Sequence, residues 1–349
     1  MLTSYQSPGL VLAKGAPPGD SVRHLQRDLR ALGYLDRGID GQFGDHTERA
    51  IKALQIDLLT PARGAAPVAI TSFNLPAPVG GGLSVTQVTG VLDQYLAACI
   101  VALRDDPRVT WLPAAFDPVA ENARVRDAIS RLSGLPAPVP FMLAMFQQES
   151  GGCHYNEPGS GDVDSFITVG LDRNDPASPD RITSRGYGIG QATLFHHPPL
   201  PAEVRTVMQD PMGNVQAAFQ EFGEKFDRFV AGPAARAVDR DAEHPGMPLR
   251  LCRYTPQDRR YLQDCVACAR MVPTVDVHRG TPAYPGAHFG YQPDQYYPTA
   301  DYPGVPDRAQ LLCDWAYAAR RYNGDGNDSF HYQARILRNL AALPSRRGS

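Results

Sequence analysis

With 349 residues, 43% of them hydrophobic and 20% charged, the chain carries enough apolar material for about two ordinary globular domains. A formal net charge of −3 leaves no basic excess, which argues against nucleic acid as the main partner. No stretch approaches the ~18 apolar residues of a membrane span, and Met1–Gly19 lacks a charged start followed by an apolar run, so no secretory signal is expected.

After an N-terminal tail over 1–14, residues 15–103 read as a small three-helix module. Asp20 or Ser21 can cap the first helix, and Val22, Leu25, Leu29 and Leu32 recur at helical spacing along one apolar face. Gly33 supplies the stop, and Asp40-Gly41 with Gly44 mark tight turns. A second helix buries Ile51, Leu54 and Leu58, and a third is expected from about Ser84 to Leu103. Between them, Pro61 to Gly82 is an Ala/Pro/Gly stretch without core patterning.

Residues 104–137 carry Pro and charge and read as a linker holding one helix, Asn122 to Leu132. From 138 to 345 the pattern is mostly helical, with long loop insertions, so the fold class is mainly α. A helix from about Val139 ends at Glu149-Ser150-Gly151, and Glu149 follows Phe146 by three residues, beside the buried face. Desolvation and the negative end of the helix dipole both favour the protonated form of a carboxyl placed there. A carboxylic acid of that kind can protonate the leaving oxygen of a glycosidic bond. Downstream, Gly186-Tyr187-Gly188-Ile189-Gly190-Gln191 alternates glycines before a glutamine able to donate to and accept from an acetamido group. Phe219, Phe222, Phe226 and Phe229 form a core stripe. Leu312, Trp315, Ala319 and Tyr322 form another helical stripe, stopped by Asn323-Gly324, and Tyr332 opens the last helix.

Six cysteines are present, and Cys265 and Cys268 have metal-ligand spacing that Cys252 and Cys313 could complete. Disulfides formed in an oxidising space among Cys99, Cys153, Cys252, Cys265, Cys268 and Cys313 fit better than zinc, with buried free thiols as the alternative. His154, His196 and His197 show no HExxH or comparable pairing, so neither a metal nor any other cofactor is expected. Residues 273–306, rich in Pro, Gly and Tyr (Tyr284, Tyr291, Tyr296, Tyr297, Tyr302), read as a long surface loop.

Two resemblances carry the functional reading. Val22, Leu25-Gln26, Leu29, Gly33-Tyr34-Leu35, Asp40-Gly41-Gln42-Phe43-Gly44 and Thr47 resemble the helical peptidoglycan-binding domain of wall hydrolases. The likeness implies wall binding, with Tyr34, Asp40, Gly41, Phe43, Gly44 and Thr47 as its signature. Two features depart from the pattern: Leu54-Gln55 stands where Phe-Gln is usual, and the second Asp-Gly-x-x-Gly turn is missing. Over 138–342, the order Glu149-Ser150-Gly151, Gly188-Ile189-Gly190-Gln191, Tyr322-Asn323-Gly324 and Tyr332 resembles soluble lytic transglycosylases and goose-type lysozymes, and Asp210-Pro211 with Asn214 is similar to their helix entry.

That second resemblance implies a lysozyme-like catalytic domain cutting between N-acetylmuramic acid and N-acetylglucosamine. Glu149 is then the acid/base. Ser150, Gln191 and the Gly188–Gly190 backbone hold the N-acetyl sugar, while Tyr322, Asn323 and Tyr332 line the site. A single-Glu transglycosylase is preferred. The alternative is an inverting muramidase recruiting Asp162, Asp164, Asp172 or Asp175, and a non-catalytic wall-binding protein is the reading from another class. The expected partners are glycan strands and, for an antibacterial effector delivered by a secretion machine such as type VI, a cognate immunity protein. A phage endolysin is the other setting. In both, the chain acts in the bacterial periplasm or wall.

Overall fold

The computed structural model describes residues 4–36, 38–61, 68–76, 82–132, 137–159, 163–227, 265, 314–323 and 328–344. It is mainly α, with one small antiparallel sheet. By its contacts the chain divides into two compact units, Met1–Val125 with Cys153–Asn214, and Arg126–Gly152 with Val215–Ser349.

The first unit opens with α1 (Asp20–Ala31), which buries Val22, Leu25 and Leu29. Gly33, in the left-handed region at φ 79°, turns the chain off its end, and Tyr34 N–H returns to Leu29 O. Helix α2 (Asp45–Leu59) follows, with Asp45 and Glu48 at the positive end of its dipole. The turn between the helices is tied by one side chain of α1. Gln26 Nε2 donates to Asp40 Oδ1 (2.9 Å), Gln42 O (3.0 Å) and Thr47 Oγ1 (3.0 Å), and Gly41 N–H donates to Gln26 Oε1 (2.7 Å).

The same device occurs a second time. Gln55, on α2, accepts from Thr89 and Gly90 N–H (both 2.9 Å) and donates to Thr89 Oγ1 and Val91 O. Gly90, at φ 73°, lies where a Cβ would fall 2.8 Å from a Glu48 side-chain carbon. Gln55 thus clasps Thr89-Gly90-Val91 as Gln26 clasps Asp40-Gly41-Gln42. The third helix begins later than the sequence pattern predicts. α3 spans Gln94–Asp105, starting ten residues later than Ser84, because Asp93 caps it by accepting Tyr95 and Leu96 N–H. The chain before the cap is extended, and Leu92 exchanges two 2.9 Å backbone bonds with Leu12.

Helices α4 (Pro118–Ser130) and α5 (Val139–Ser150) come next, and α5 ends where Gly151 adopts φ 67°. Strands β1 (Val169–Asp172), β2 (Ser184–Tyr187) and β3 (Ala192–Leu194) form an antiparallel sheet in that order. Gly170 faces Gly186, and Tyr187 faces Ala192. After the short α6 (Pro201–Glu203) and a π turn (Val204–Met208), α7 runs Pro211–Phe226. Helices α8 (Asp314–Tyr322) and α9 (Asp328–Ala342) complete the described chain.

The sequence reading set a linker at 104–137 and a catalytic domain from 138, whereas the contacts group 104–125 and 153–214 with the N-terminal helices. Two buried arginines explain the grouping. Arg30 of α1 has no solvent exposure and donates to Asp164 (3.1 Å), Ile167 O (2.8 Å) and Leu35 O (3.1 Å). Arg185 of β2 donates to Gly33 O (3.0 Å), pairs with Asp57 at 3.6 Å and lies over the Tyr34 ring. Leu112 N–H adds a backbone bond to Ala31 O.

In the second unit, α5, α8 and α9 pack on one another. The Phe stripe of α7 forms core there as expected: Phe219 meets Phe146 edge-on, Phe222 meets Trp315 and Tyr322, and Phe226 stacks on Trp315 at 4.2 Å. Phe229 and Leu312 lie outside the described residues.

Replacing a buried carboxamide by alanine strands its partners, at about 1–3 kcal/mol for each group left unsatisfied. Gln26→Ala and Gln55→Ala should each lower the first unit's stability by ~2–4 kcal/mol in urea unfolding, whereas the exposed Gln42→Ala should shift it by less than ~0.5 kcal/mol.

Candidate active site

Glu149 sits on the last turn of α5, half-buried, three residues after the buried Phe146. Tyr332, on α9, donates its hydroxyl to Glu149 Oε1 at 2.5 Å. A span of 183 residues separates the two, and packing of α9 on α5 brings them together. Burial, first, and then the negative charge of Glu149 hold the Tyr332 phenol well above its usual range. It therefore stays protonated and available as a donor. Tyr322, at the end of α8, is raised in the same sense by burial, then Glu221, then Glu149. Ser150 turns its hydroxyl back onto Phe146 O (3.0 Å). Asn323 is exposed in the turn after α8, and Gly324 lies outside the described residues.

The Gly188–Gln191 run belongs to the first unit, at the turn between β2 and β3. Its backbone donors are engaged within the fold. Gly188 N–H bonds Thr168 O (2.8 Å), Ile189 N–H meets His154 Nδ1 (3.3 Å), and Gly190 N–H bonds Asn214 Oδ1 (2.8 Å). The Gly188–Gly190 amides are thus already spent, and the part-exposed Gln191 side chain is what the turn presents. That side chain rests on a floor of glycine. A Cβ at Gly170 or Gly186 would fall 2.5 or 2.8 Å from Gln191 Oε1, and Gln191 Nε2 donates to Gly188 O (2.7 Å). Gly188 combines φ 73° with a site where a Cβ would lie 2.6 Å from the His154 ring.

His154 and Asn214, which the sequence did not mark as organising residues, build this turn. His154 is buried, with Nε2 bonded to Met208 O (2.8 Å), and burial lowers its pKa to about 4. It is neutral, with Nε2 donating and Nδ1 accepting. Asn214 donates to Tyr187 O and Val207 O as well as accepting from Gly190. The Asp210-Pro211-x-x-Asn214 spacing was the available signal, since it puts Asn214 one helical turn inside α7.

The aspartates considered as second carboxylates have structural partners. Asp164 pairs with Arg30 and accepts from Asn156, Asp172 accepts from Ser184 (2.6 Å), and Asp175 caps the turn at Ala177 (3.1 Å). Asp162 lies outside the described residues, as do the Tyr-rich 273–306 loop and Cys252, Cys268 and Cys313. Cys99 is a buried free thiol. Among the described residues, no three His, Cys, Asp or Glu side chains are placed to hold a metal ion. His196 bonds Glu203 (2.9 Å), and His197 is buried edge-on to Tyr34, with burial holding it well below the usual histidine range.

The N-terminal signature residues likewise serve the fold. Tyr34 is buried and donates to Asp57 (3.0 Å), and Phe43 and Thr47 are buried. Asp40 and Gly41 are clasped by Gln26, while Gly44 caps α2. Residues 18–57 match the family model described as "Putative peptidoglycan binding domain". The chain carries an N-terminal peptidoglycan-binding domain. No curated protein and no solved structure matches the chain. The match ends at residue 57. Such a domain associates the chain with the cell wall. Among the described residues no helix is long and apolar enough to cross a membrane.

Both buried histidines make the first unit acid-labile. A folded His154 at about 4 refuses protons that the unfolded chain binds below about 6.5, so stability is lost as pH falls through that window. The His154 contribution is on the order of 3 kcal/mol by pH 4, and His197 acts with the same sign. The melting temperature of the first unit should fall between pH 6.5 and 4, with a shallower slope in His154→Gln.

Proposed function

We propose that this protein cleaves peptidoglycan glycan strands between N-acetylmuramic acid and N-acetylglucosamine, with Glu149 as the general acid. The observation that carries the reading is the Tyr332–Glu149 hydrogen bond at the end of α5. Two residues singled out by separate motifs, far apart in sequence, meet on a half-buried carboxyl. Glu149 gives its proton to the leaving oxygen as the glycosidic bond breaks. Tyr332 then supports the carboxylate that remains, because a phenol donating to an ionised oxygen is a charge-assisted bond. In the single-Glu route, Glu149 next accepts the proton of the sugar's C6 hydroxyl, and a 1,6-anhydro ring closes without water. The peptidoglycan-binding domain keeps the chain on its polymeric substrate, which raises the local concentration of cleavable bonds. An injected antibacterial effector with a cognate immunity protein and a phage endolysin are the two settings that use such chemistry.

Purified sacculi digested with the wild-type protein should release glycan fragments detectable by mass spectrometry, and Glu149→Gln should release none. Tyr332→Phe should lower kcat about 10–100-fold, the worth of one charge-assisted bond. Sacculus binding should be unchanged in both variants. Binding without fragments from the wild type would leave a wall-binding protein.

A further inference from the structure

Gln191 is the one non-glycine residue with a positive φ (50°) among the described residues. A side chain in the left-handed region crowds its own backbone, so this conformation persists only where surrounding contacts impose it. Two contacts fix the carboxamide. Nε2 donates to Gly188 O (2.7 Å) at the start of the same turn, and Oε1 lies over Gly170 and Gly186, which pair across β1 and β2. The two glycines are not equivalent. A Cβ at Gly186 would meet Gln191 Oε1 at 2.8 Å, its Cβ at 3.2 Å and its backbone O at 3.3 Å, so the turn itself needs glycine there. A Cβ at Gly170 would lie 2.5 Å from Gln191 Oε1 and 3.7 Å from its Cδ, and beyond its chain neighbours it would meet nothing else described within 4 Å. Gly170 has no left-handed φ and stands in a regular strand, where glycine is a weak choice. Neither the backbone nor the packing of the fold calls for glycine at 170. Only the Gln191 carboxamide does.

We infer that Gly170 is a positioning residue: its bare strand position seats the Gln191 carboxamide, which offers an N–H to the acetamido oxygen of an N-acetyl sugar. The inference rests on the glycan reading above and on the sugar-holding role that the sequence resemblance gives Gln191. A primary carboxamide carries two N–H donors and one carbonyl. Gly188 O takes one N–H and Oε1 is turned onto the glycine floor, so the second N–H serves the part-exposed face. An amide carbonyl is a stronger acceptor than a hydroxyl, so a fixed N–H favours an N-acetylated sugar over plain glucose. Because the carboxamide is already oriented, ligand binding does not have to order it. A methyl at 170 would lift Oε1 off the floor and turn the donor away, while leaving the rest of the first unit untouched.

The test is calorimetric titration of the full-length wild-type protein, Gly170→Ala, Gln191→Ala and the double variant. The two probes are the β-1,4-linked tetramers of N-acetylglucosamine and of glucose, which are both uncharged and differ at the acetamido group. Gly170→Ala should keep the wild-type melting temperature and bind the N-acetylglucosamine tetramer about 10-fold more weakly, the worth of one hydrogen bond. Gln191→Ala should lose the same factor, and the double variant should lose no more than either single one, since both changes remove one interaction. Affinity for the glucose tetramer should be the same in all four proteins. Unchanged binding in Gly170→Ala, additive losses in the double variant, or equal affinity of the wild type for both tetramers would overturn the inference. So would a Gly170→Ala protein that no longer melts cooperatively, because the glycine would then serve the fold. A wild type that shows these binding differences but releases no fragments from sacculi would remove the cleavage reading and leave the role of Gly170 in place.

Discussion

A guanidinium sealed from solvent must find acceptors inside the protein, because it cannot shed its charge and each unmet N–H costs desolvation energy. Arg30 is in that position, and its acceptors lie in three places: Asp164, Ile167 O and Leu35 O. Arg185 repeats the arrangement in the opposite direction, reaching from β2 to Gly33 O and Asp57. One arginine belongs to the N-terminal helices and the other to the sheet. Neither meets these partners unless both parts are folded together, so the peptidoglycan-binding domain and residues 153–214 share one unit. Breaking a buried pair by removing one partner is strongly destabilising, which is why these contacts govern the arrangement more than the surface pairs do.

Within that unit, two glutamines on successive helices carry out the same task. Gln26 clasps Asp40-Gly41-Gln42, and Gln55 clasps Thr89-Gly90-Val91. A carboxamide suits the role because it offers two donors and an acceptor on one rigid plane. The signature residues of the domain are largely the ones these clasps require. A match to the signature therefore reports turn geometry first, because the matched residues are the ones the fold uses.

In the second unit the governing contact is the Tyr332 hydroxyl on Glu149. A carboxyl at a helix end next to apolar rings gains a fixed orientation from one strong donor, and a phenol kept protonated by burial is a dependable one. The Phe stripe of α7 holds the same neighbourhood from the other side through Phe146, Trp315 and Tyr322.

Periodicity and stop signals in the sequence determined where α1, α2, α5 and α7 run, because apolar spacing, caps and left-handed glycines are local properties. They also placed Glu149 beside a buried face, since that follows from its distance to Phe146 along one helix. The Gly90 turn escaped notice because the side chain that clasps it, Gln55, lies 35 residues earlier, and a pattern read at short spacing does not reach that far. The grouping of 153–214 with the N-terminal helices depends on Arg30 meeting Asp164 across 134 residues, and nothing in either neighbourhood announces the pair. The sugar-holding role expected of the Gly188–Gly190 amides met the same limit. Glycine alternation marks a close approach of backbone to something, and only the tertiary structure reveals that this partner is the ring of His154 and the amide of Asn214. Local chemistry is written along the chain, whereas which distant groups satisfy one another is decided when burial leaves them no alternative.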